Sequence, residues 1–438
     1  MLNILSRRSY GDARQKIVID GNPSIAPGLK ASDQAIAEWL DGATKKLFVK
    51  HGPLDTDWIQ FAGEGTGSIV IGGGGGGGNE DNIAGQGDFI VDFGGLEPDV
   101  TLEDNDPAAL QTAINDLEDG EILAIKTDAA YNPIVIPAAK SFIIYVMDGY
   151  APSITGAECI RLSNGAARVA ISGLILEDFT TPAQNERGGA ISFAEHETKV
   201  QDIIFHNLKI RNLVGNGSAI MLSYHWSVGG DTYFTPTQIN ELSERITFSG
   251  CYFSKACNDG IEGGCITIRG CLSPLVEKCR IDNAAVAGRG IQLLNCLVGM
   301  VYSNDVTRIG GGNAEGIKID QIGISPFVQS VYVKGNRVKN CIEGVDIDDN
   351  VIAVVKDNHC YNCTDEGISI DNDSKAIVVG NICHGNNIGI RAENGSGYDL
   401  KQNCCYNNVA NDYQLDDGGI VDDSNSTTAD SCFVPIYV

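Results

Sequence analysis

Seven carboxylates recur at fixed places in the C-terminal half of this chain. Glu315, Glu343 and Glu366 each stand just before a glycine, and Asp320, Asp348, Asp371 and Glu393 each stand four residues beyond one. If every such segment is one rung of a stacked array of strands, both sets form outward-facing columns with neighbours about 5 Å apart. Carboxyl groups about 5 to 5.5 Å apart are what retaining glycosidases use, one protonating the leaving oxygen while the other attacks the sugar. The same columns fit two other roles, a solvated acidic face or a cation site, because stacked like charges repel and a bound cation relieves them. The densest oxygen cluster is EGVDIDDN (Glu343 to Asn350), where Asp346, Asp348 and Asp349 are candidate calcium ligands, although the spacing is not that of an EF-hand loop. Calcium is thus the one cofactor the residues suggest, and none is required.

A second candidate site is a loop. Aligned positions Ile210 and Phe253 are 43 residues apart where other coils take 22 to 32, so a segment from Ser223 to Glu241 leaves the regular pattern. It gathers Tyr224, His225, Trp226, Tyr233 and Phe234 in a chain with only 7% aromatics. Exposed rings stack on the apolar faces of sugars, and Asp231 and His225 offer hydrogen bonds to hydroxyls, so Tyr224, His225, Trp226, Asp231 and Tyr233 are the candidate glycan-binding residues. The alternative is that the rings pack on the coil wall or on a neighbouring subunit. Gln321 to Phe327 is a shorter extra loop.

Two tempting motifs carry less. Cys360 and Cys363 have the gap of a zinc or redox pair, but no second ligand pair accompanies them, and Cys360, Cys383 and Cys405 fall on the repeat. They read as small hydrophobes stacked in a core. The seven glycines from Gly72 to Gly78 are not followed by Gly-Lys-Ser/Thr, which excludes a nucleotide loop, and they read as a flexible linker, the alternative being packed polyglycine strands between subunits of an oligomer.

The elements that must position these residues are legible from the spacing. Gly264, Gly290, Gly316, Gly344, Gly367 and Gly389 are separated by 26, 26, 28, 23 and 22 residues, and Asn336, Asn358, Asn381 and Asn403 by 22, 23 and 22. Two ladders in phase define a coil of about three short strands, alternate side chains turned inward. The Asn ladder is expected to bond along its own stack and, like the glycines, to supply the left-handed backbone of a corner. Net charge of -26 leaves no basic stripe for a nucleic acid and would be repelled by an anionic membrane. The opening MLNILSRRSYGDARQK lacks a secretory apolar segment, and no run of about 18 apolar residues is present, so the expectation is assembly in a cytoplasm with free thiols and no membrane insertion.

These ladders, with DPAALQTAINDLEDGEILAIKTDAAY (Asp106 to Tyr131) before them, resemble the right-handed parallel β-helices of the pectate-lyase-like family. The fold class that follows is all-β: a single-stranded solenoid with a short capping helix and a small N-terminal β module. In the capping segment Asp106 precedes Pro107 as N-cap, and Leu110, Ile114 and Leu117 share one helix face. Pectate lyases of this fold pair calcium with an arginine base, and Arg269 and Arg289 lie in suitable strands without a motif to assign the role. The capping segment is also similar to the start of bacteriophage tailspike helices, and LFVKHGPLDTDWIQF (Leu47 to Phe61), read as two strands around a turn, resembles a module near the N-termini of phage tail and fibre proteins.

The organisation expected is an attachment region at 1–71, a Gly-rich lead-in at 72–104, the β-helix at 105–420 and a closing segment at 421–438. The resemblance implies a homotrimeric tailspike or fibre of the virion tail, attached to other tail or baseplate proteins through its N-terminal region and recognising host surface polysaccharide. Competing expectations on the same scaffold are a depolymerase, hydrolase or lyase, and a structural virion component without a receptor.

Overall fold

A computed structural model describes the backbone of five N-terminal strands, Asn3–Tyr10, Arg14–Asp20, Ile36–Asp41, Thr44–Lys50 and Trp58–Phe61, then residue 93 and residues 95–428. Excepted are 181–188, 195–197, 214–217, 224–241, 257–263, 284–287, 309–313, 322–328, 417–418 and 423. The chain divides into two units, Met1–Ile71 and Gly72–Val438.

The first unit holds one five-stranded sheet in sequence order, antiparallel except where the second and third strands run parallel. The two strands read from Leu47 to Phe61 are an antiparallel pair, with Leu47 opposite Phe61 and Lys50 opposite Trp58.

The second unit is a parallel β-solenoid, with three parallel sheets of 14, 11 and 11 strands in which each strand pairs with those one coil before and after it. Alternation does the sorting. In the third sheet Ile266, Ile291, Ile317, Val345, Ile368 and Ile390 stack in register and are fully buried, while the residues between them face outward. The helix Ala109–Asp116 caps the start, burying Leu110 and Ile114 completely, with Leu117 beside them. It begins later than expected, with Ala108 as N-cap and no side-chain capping bond, so Asp106 does not cap the helix; its carboxylate accepts the Ala108 amide at 2.8 Å in the turn that leads in.

The Asn ladder is real and longer than expected. Each side-chain amide donates to the next carbonyl oxygen, Asn336 to Asn358 at 2.9 Å, Asn358 to Asn381 at 3.0 Å and Asn381 to Asn403 at 2.9 Å, and the stack runs from Asn304 to Asn425. Its corner chemistry differs from expectation. The left-handed residue is the one before each Asn (Gly335, Asp357, Gly380, Gln402), because the ladder amides must turn inward rather than round the bend.

The stacked glycines answer to a different constraint as well. Gly316, Gly344 and Gly367 have no positive φ, and a Cβ on Gly367 would lie 2.7 Å from the carbonyl oxygen of Gly389. Crowding between coils, not a left-handed turn, demands them. Gly264 does not belong to that row. It pairs with Arg289, so Cys265 sits opposite Gly290, a one-residue slip that the sequence alignment missed.

Val338, Cys360, Cys383 and Cys405 are paired rung to rung and fully buried, as read from the spacing. Eleven described cysteines are free and buried, whereas Cys404 is disulfide-bonded, which departs from the expectation of free thiols throughout.

Candidate functional site

The outward face of the third sheet gathers the chemistry, because strands Arg289–Leu294, Ile317–Asp320, Val345–Asp348, Glu366–Ile370 and Ile388–Ala392 follow one another rung by rung. The glutamates do stack: the amides of Gly290, Gly316 and Gly344 donate to the carbonyls of Glu315, Glu343 and Glu366 at 2.9, 2.8 and 2.9 Å. Asp320 is the direct partner of Asp348, and the Asp371 amide donates to Ile347 at 2.9 Å, extending that column.

Neither column is the solvated face that a charge run suggests. Glu315, Asp320 and Glu366 are 8%, 5% and 0% exposed. Basic side chains accompany them, Lys318 and Arg391 at the outward position between the two columns and Arg289 at the head of the glutamate column. Lys318 Nζ lies 2.6 Å from Asp346 Oδ2 and 2.8 Å from Asp348 Oδ2. Arg289 Nε donates to Glu315 at 3.2 Å, and Arg391 lies 2.8 Å from Glu366 and 3.6 Å from both Asp371 and Glu393. The sequence showed these bases, in EGIKID and IGIRAE, but period-two spacing places them beside the acids only once the stacking partner is known.

Asp320, Asp348 and Asp349 offer carboxylate oxygens that all lie within 4.8 Å of one another. Of the three carboxylates read as calcium ligands, Asp348 and Asp349 are in this trio, while Asp346 turns to Lys318 on the neighbouring column. The partners of the trio differ. Asp348 accepts from Lys318 and from Asn372 Nδ2, each at 2.8 Å, so it is oriented by two donors. Asp320 Oδ1 is buried with no hydrogen-bond partner. Asp349 is half-buried and sits in left-handed backbone, φ 56°, next to exposed Asn350.

Burial sets the electrostatics. It pushes the Asp320 carboxyl up to about 7 against the pull of Lys318, with Asp348, Asp346 and Asp349 adding to the rise. Glu343 is pushed up to about 9 by burial and by Asp346, Glu366 and Glu315, and Glu366 to about 7 chiefly by burial, against Arg391. Burial disfavours the Lys318 ammonium, but Asp346, Asp320 and Asp348 outweigh it and hold the amine well above its usual range.

The trio can therefore do acid–base work: a buried carboxyl that keeps its proton near neutrality faces a carboxylate fixed by two donors. As oxygen donors the three also suit calcium in kind. They supply fewer than the six to eight oxygens it takes, and the Lys318 ammonium already holds Asp348.

Tyr224, His225, Trp226, Asp231 and Tyr233 lie outside the described residues, as does most of Gln321 to Phe327. Arg269 and Arg289 are both buried on this face, and Arg289 is engaged by Glu315. A cluster that the sequence reading passed over lies on the second sheet. Tyr361, His384 and Tyr406 stack at 5.2 and 5.0 Å between centroids, and His359 Nε2 lies 2.9 Å from His384 Nε2. His384 and Tyr406 follow the ladder cysteines Cys383 and Cys405 directly, and that adjacency is the signal that could have found them.

A scan against protein-family models gave no match, and neither did a comparison with curated protein sequences. Among solved structures the chain is similar to the periplasmic alginate epimerase AlgG, at 14% identity and TM-score 0.45, over 68% of this chain and 77% of that one. It is similar to an alginate lyase from Paenibacillus at 11% identity and TM-score 0.41, covering 75% and 98%, and to the catalytic domain of an alpha-1,3-glucanase in complex with nigerose, at 11% and 0.39, covering 75% and 68%. At such identities the likeness concerns how the chain is wound.

Proposed function

We propose that the protein acts on a polysaccharide and hydrolyses a glycosidic bond at Asp320, Asp348 and Asp349. The observation that carries this reading is the buried Asp320 carboxyl, with one oxygen unpartnered, held beside two further carboxylates on adjacent rungs of a rigid ladder. Asp320 is the acid that protonates the leaving oxygen. Asp348, oriented by Lys318 and Asn372, attacks the anomeric carbon as the glycosidic bond breaks, water then displaces it with Asp320 taking the water's proton, and half-buried Asp349 stands where the trio meets solvent. Lys318 is not the base of an elimination, because the acids around it hold its amine protonated. The test is incubation with bacterial capsular and O-antigen polysaccharides in EDTA and in calcium, following reducing ends and unsaturated sugars. New ends without unsaturation support the reading; unsaturated products, or no cleavage of any polymer, would overturn it.

A second reading keeps the solenoid as the shaft of a tailspike that binds host polysaccharide. It is supported by the separate N-terminal five-stranded sheet, the glycine run after it and the resemblance of both flanking segments to phage tail proteins. In this reading the protein is a homotrimer on the virion tail, joined to tail or baseplate proteins through residues 1–71. The two readings are compatible, since a spike can cut what it binds. Light scattering at micromolar concentration tests the assembly: a trimer is expected, and a monomer would sink it.

A further inference from the structure

The charge of this face says which sugars it can take. We infer that the polysaccharide cut at the trio is built of sugars without acidic groups, and is not a polyuronate or other polyanion. The inference rests on the trio being where a glycan is cut, and it concerns only the charge of that glycan.

A polyanion needs bases that are free to meet it. On the rungs from Arg289 to Arg391 each base is already engaged: Arg289 by Glu315, Lys318 by Asp346 and Asp348, and Arg391 by Glu366, with Asp371 and Glu393 close by. Arg269, on the rung before, is buried and is not without a partner. Acids outnumber bases on this face, with Glu315, Asp346, Asp348, Asp371 and Glu393 around Arg289, Lys318 and Arg391, so a further anion would meet net repulsion in a poorly screened setting.

A second observation points the same way. Asp346 Oδ1, beside the trio, is a buried acceptor without a donor, on a residue 3% exposed. The hydroxymethyl group of a neutral sugar supplies an O–H donor, whereas the carboxylate that replaces it in a uronate has no proton to give and adds charge.

The experiment uses matched pairs, each an acidic polysaccharide and the same polymer after carboxyl reduction, with the full chain at low ionic strength, in EDTA and in calcium. Binding by affinity electrophoresis is measured separately from new reducing ends. Reduced polymers are expected to bind at least about tenfold more tightly than their parents, the gap narrowing as salt screens the face. Glu393→Lys, on this face, is expected to narrow it too, and Glu103→Lys, on the first coils, to leave it unchanged. Parent polymers bound as well as their reduced forms, in either cation condition, overturn the inference, as does an equal effect of the two variants. The predicted binding order without cleavage of any polymer overturns the hydrolase reading and keeps the charge preference only for a glycan bound on this face. No binding of any pair overturns both.

Discussion

Lys318 is the residue on which the face depends electrostatically. Its ammonium, 9% exposed, meets Asp346 at 4% and Asp348 at 19% exposure, so each charge is kept out of water only because the others are there. Removing one partner of a buried pair leaves the other uncompensated, at a cost of about 3–5 kcal/mol. Lys318→Met is therefore expected to lose stability of about that size at pH 8, measured by urea unfolding. The loss should be smaller at pH 5, because burial has already pushed Asp346 up to about 6 and its proton removes the stranded charge. A loss independent of pH would mean that packing, not charge, is what Lys318 supplies.

At the scale of the element, the ladders carry the fold. Asn358 donates to Asn381 Oδ1 and to Val333 O, and accepts from the amide and side chain of Asn336, all between 2.9 and 3.0 Å and all buried. Asn358→Ala strands buried groups on both neighbouring rungs, and about 2–3 kcal/mol of destabilisation is expected in chemical unfolding. Gly344→Ala should do comparable harm through a clash: its Cβ would lie 2.9 Å from Cys360 Cβ and closer still to the Gly367 carbonyl. Either variant behaving like wild type would remove the ladder argument.

This is also the scale at which the sequence was most legible. The spacing of Asn336, Asn358, Asn381 and Asn403 gave the coil, and the cysteines two residues after three of them gave the inward face. What it did not give is lateral. The slip at Gly264 is invisible because Gly264 and Gly290 look alike in a linear alignment, and only backbone pairing shows Cys265 opposite Gly290. The acid columns were placed correctly along the chain and wrongly in their surroundings, because the burial of Asp320 depends on Lys318 and on rungs 28 residues away. The corner backbone was misassigned for a related reason: an Asn at a bend can serve the turn or the core, and neighbours on adjacent coils decide which.

The whole molecule should show its site in how stability varies with pH. Glu343 titrates at about 9 when folded, and Asp320 and Glu366 at about 7. These lie above the roughly 4 of an unfolded carboxyl, so the folded state keeps protons that the unfolded chain has released. The stability they contribute is full below about pH 4 and is lost as pH rises through their folded values. His359 runs the other way. Burial, then His384 and Arg337, lower it to about 4, so stability falls as pH drops from the unfolded value of roughly 6.5. Above pH 7 these carboxylates act together with the buried thiols, which burial raises above the roughly 8.5 of an unfolded cysteine, so both favour unfolding as pH rises and the melting temperature is expected to decline towards pH 9.5. Glu343→Gln should flatten that decline, and an unchanged slope in calorimetry would contradict the burial of the glutamate column.

The central claim is that Asp320 donates a proton to a glycosidic oxygen, and the most direct test is the cleavage rate of Asp320→Asn beside wild type at saturating polysaccharide. The amide keeps the shape and cannot act as the acid, so the rate should fall by about 10² to 10⁴ while binding and melting temperature hold. An Asp320→Asn protein that cuts as fast as wild type would contradict the account.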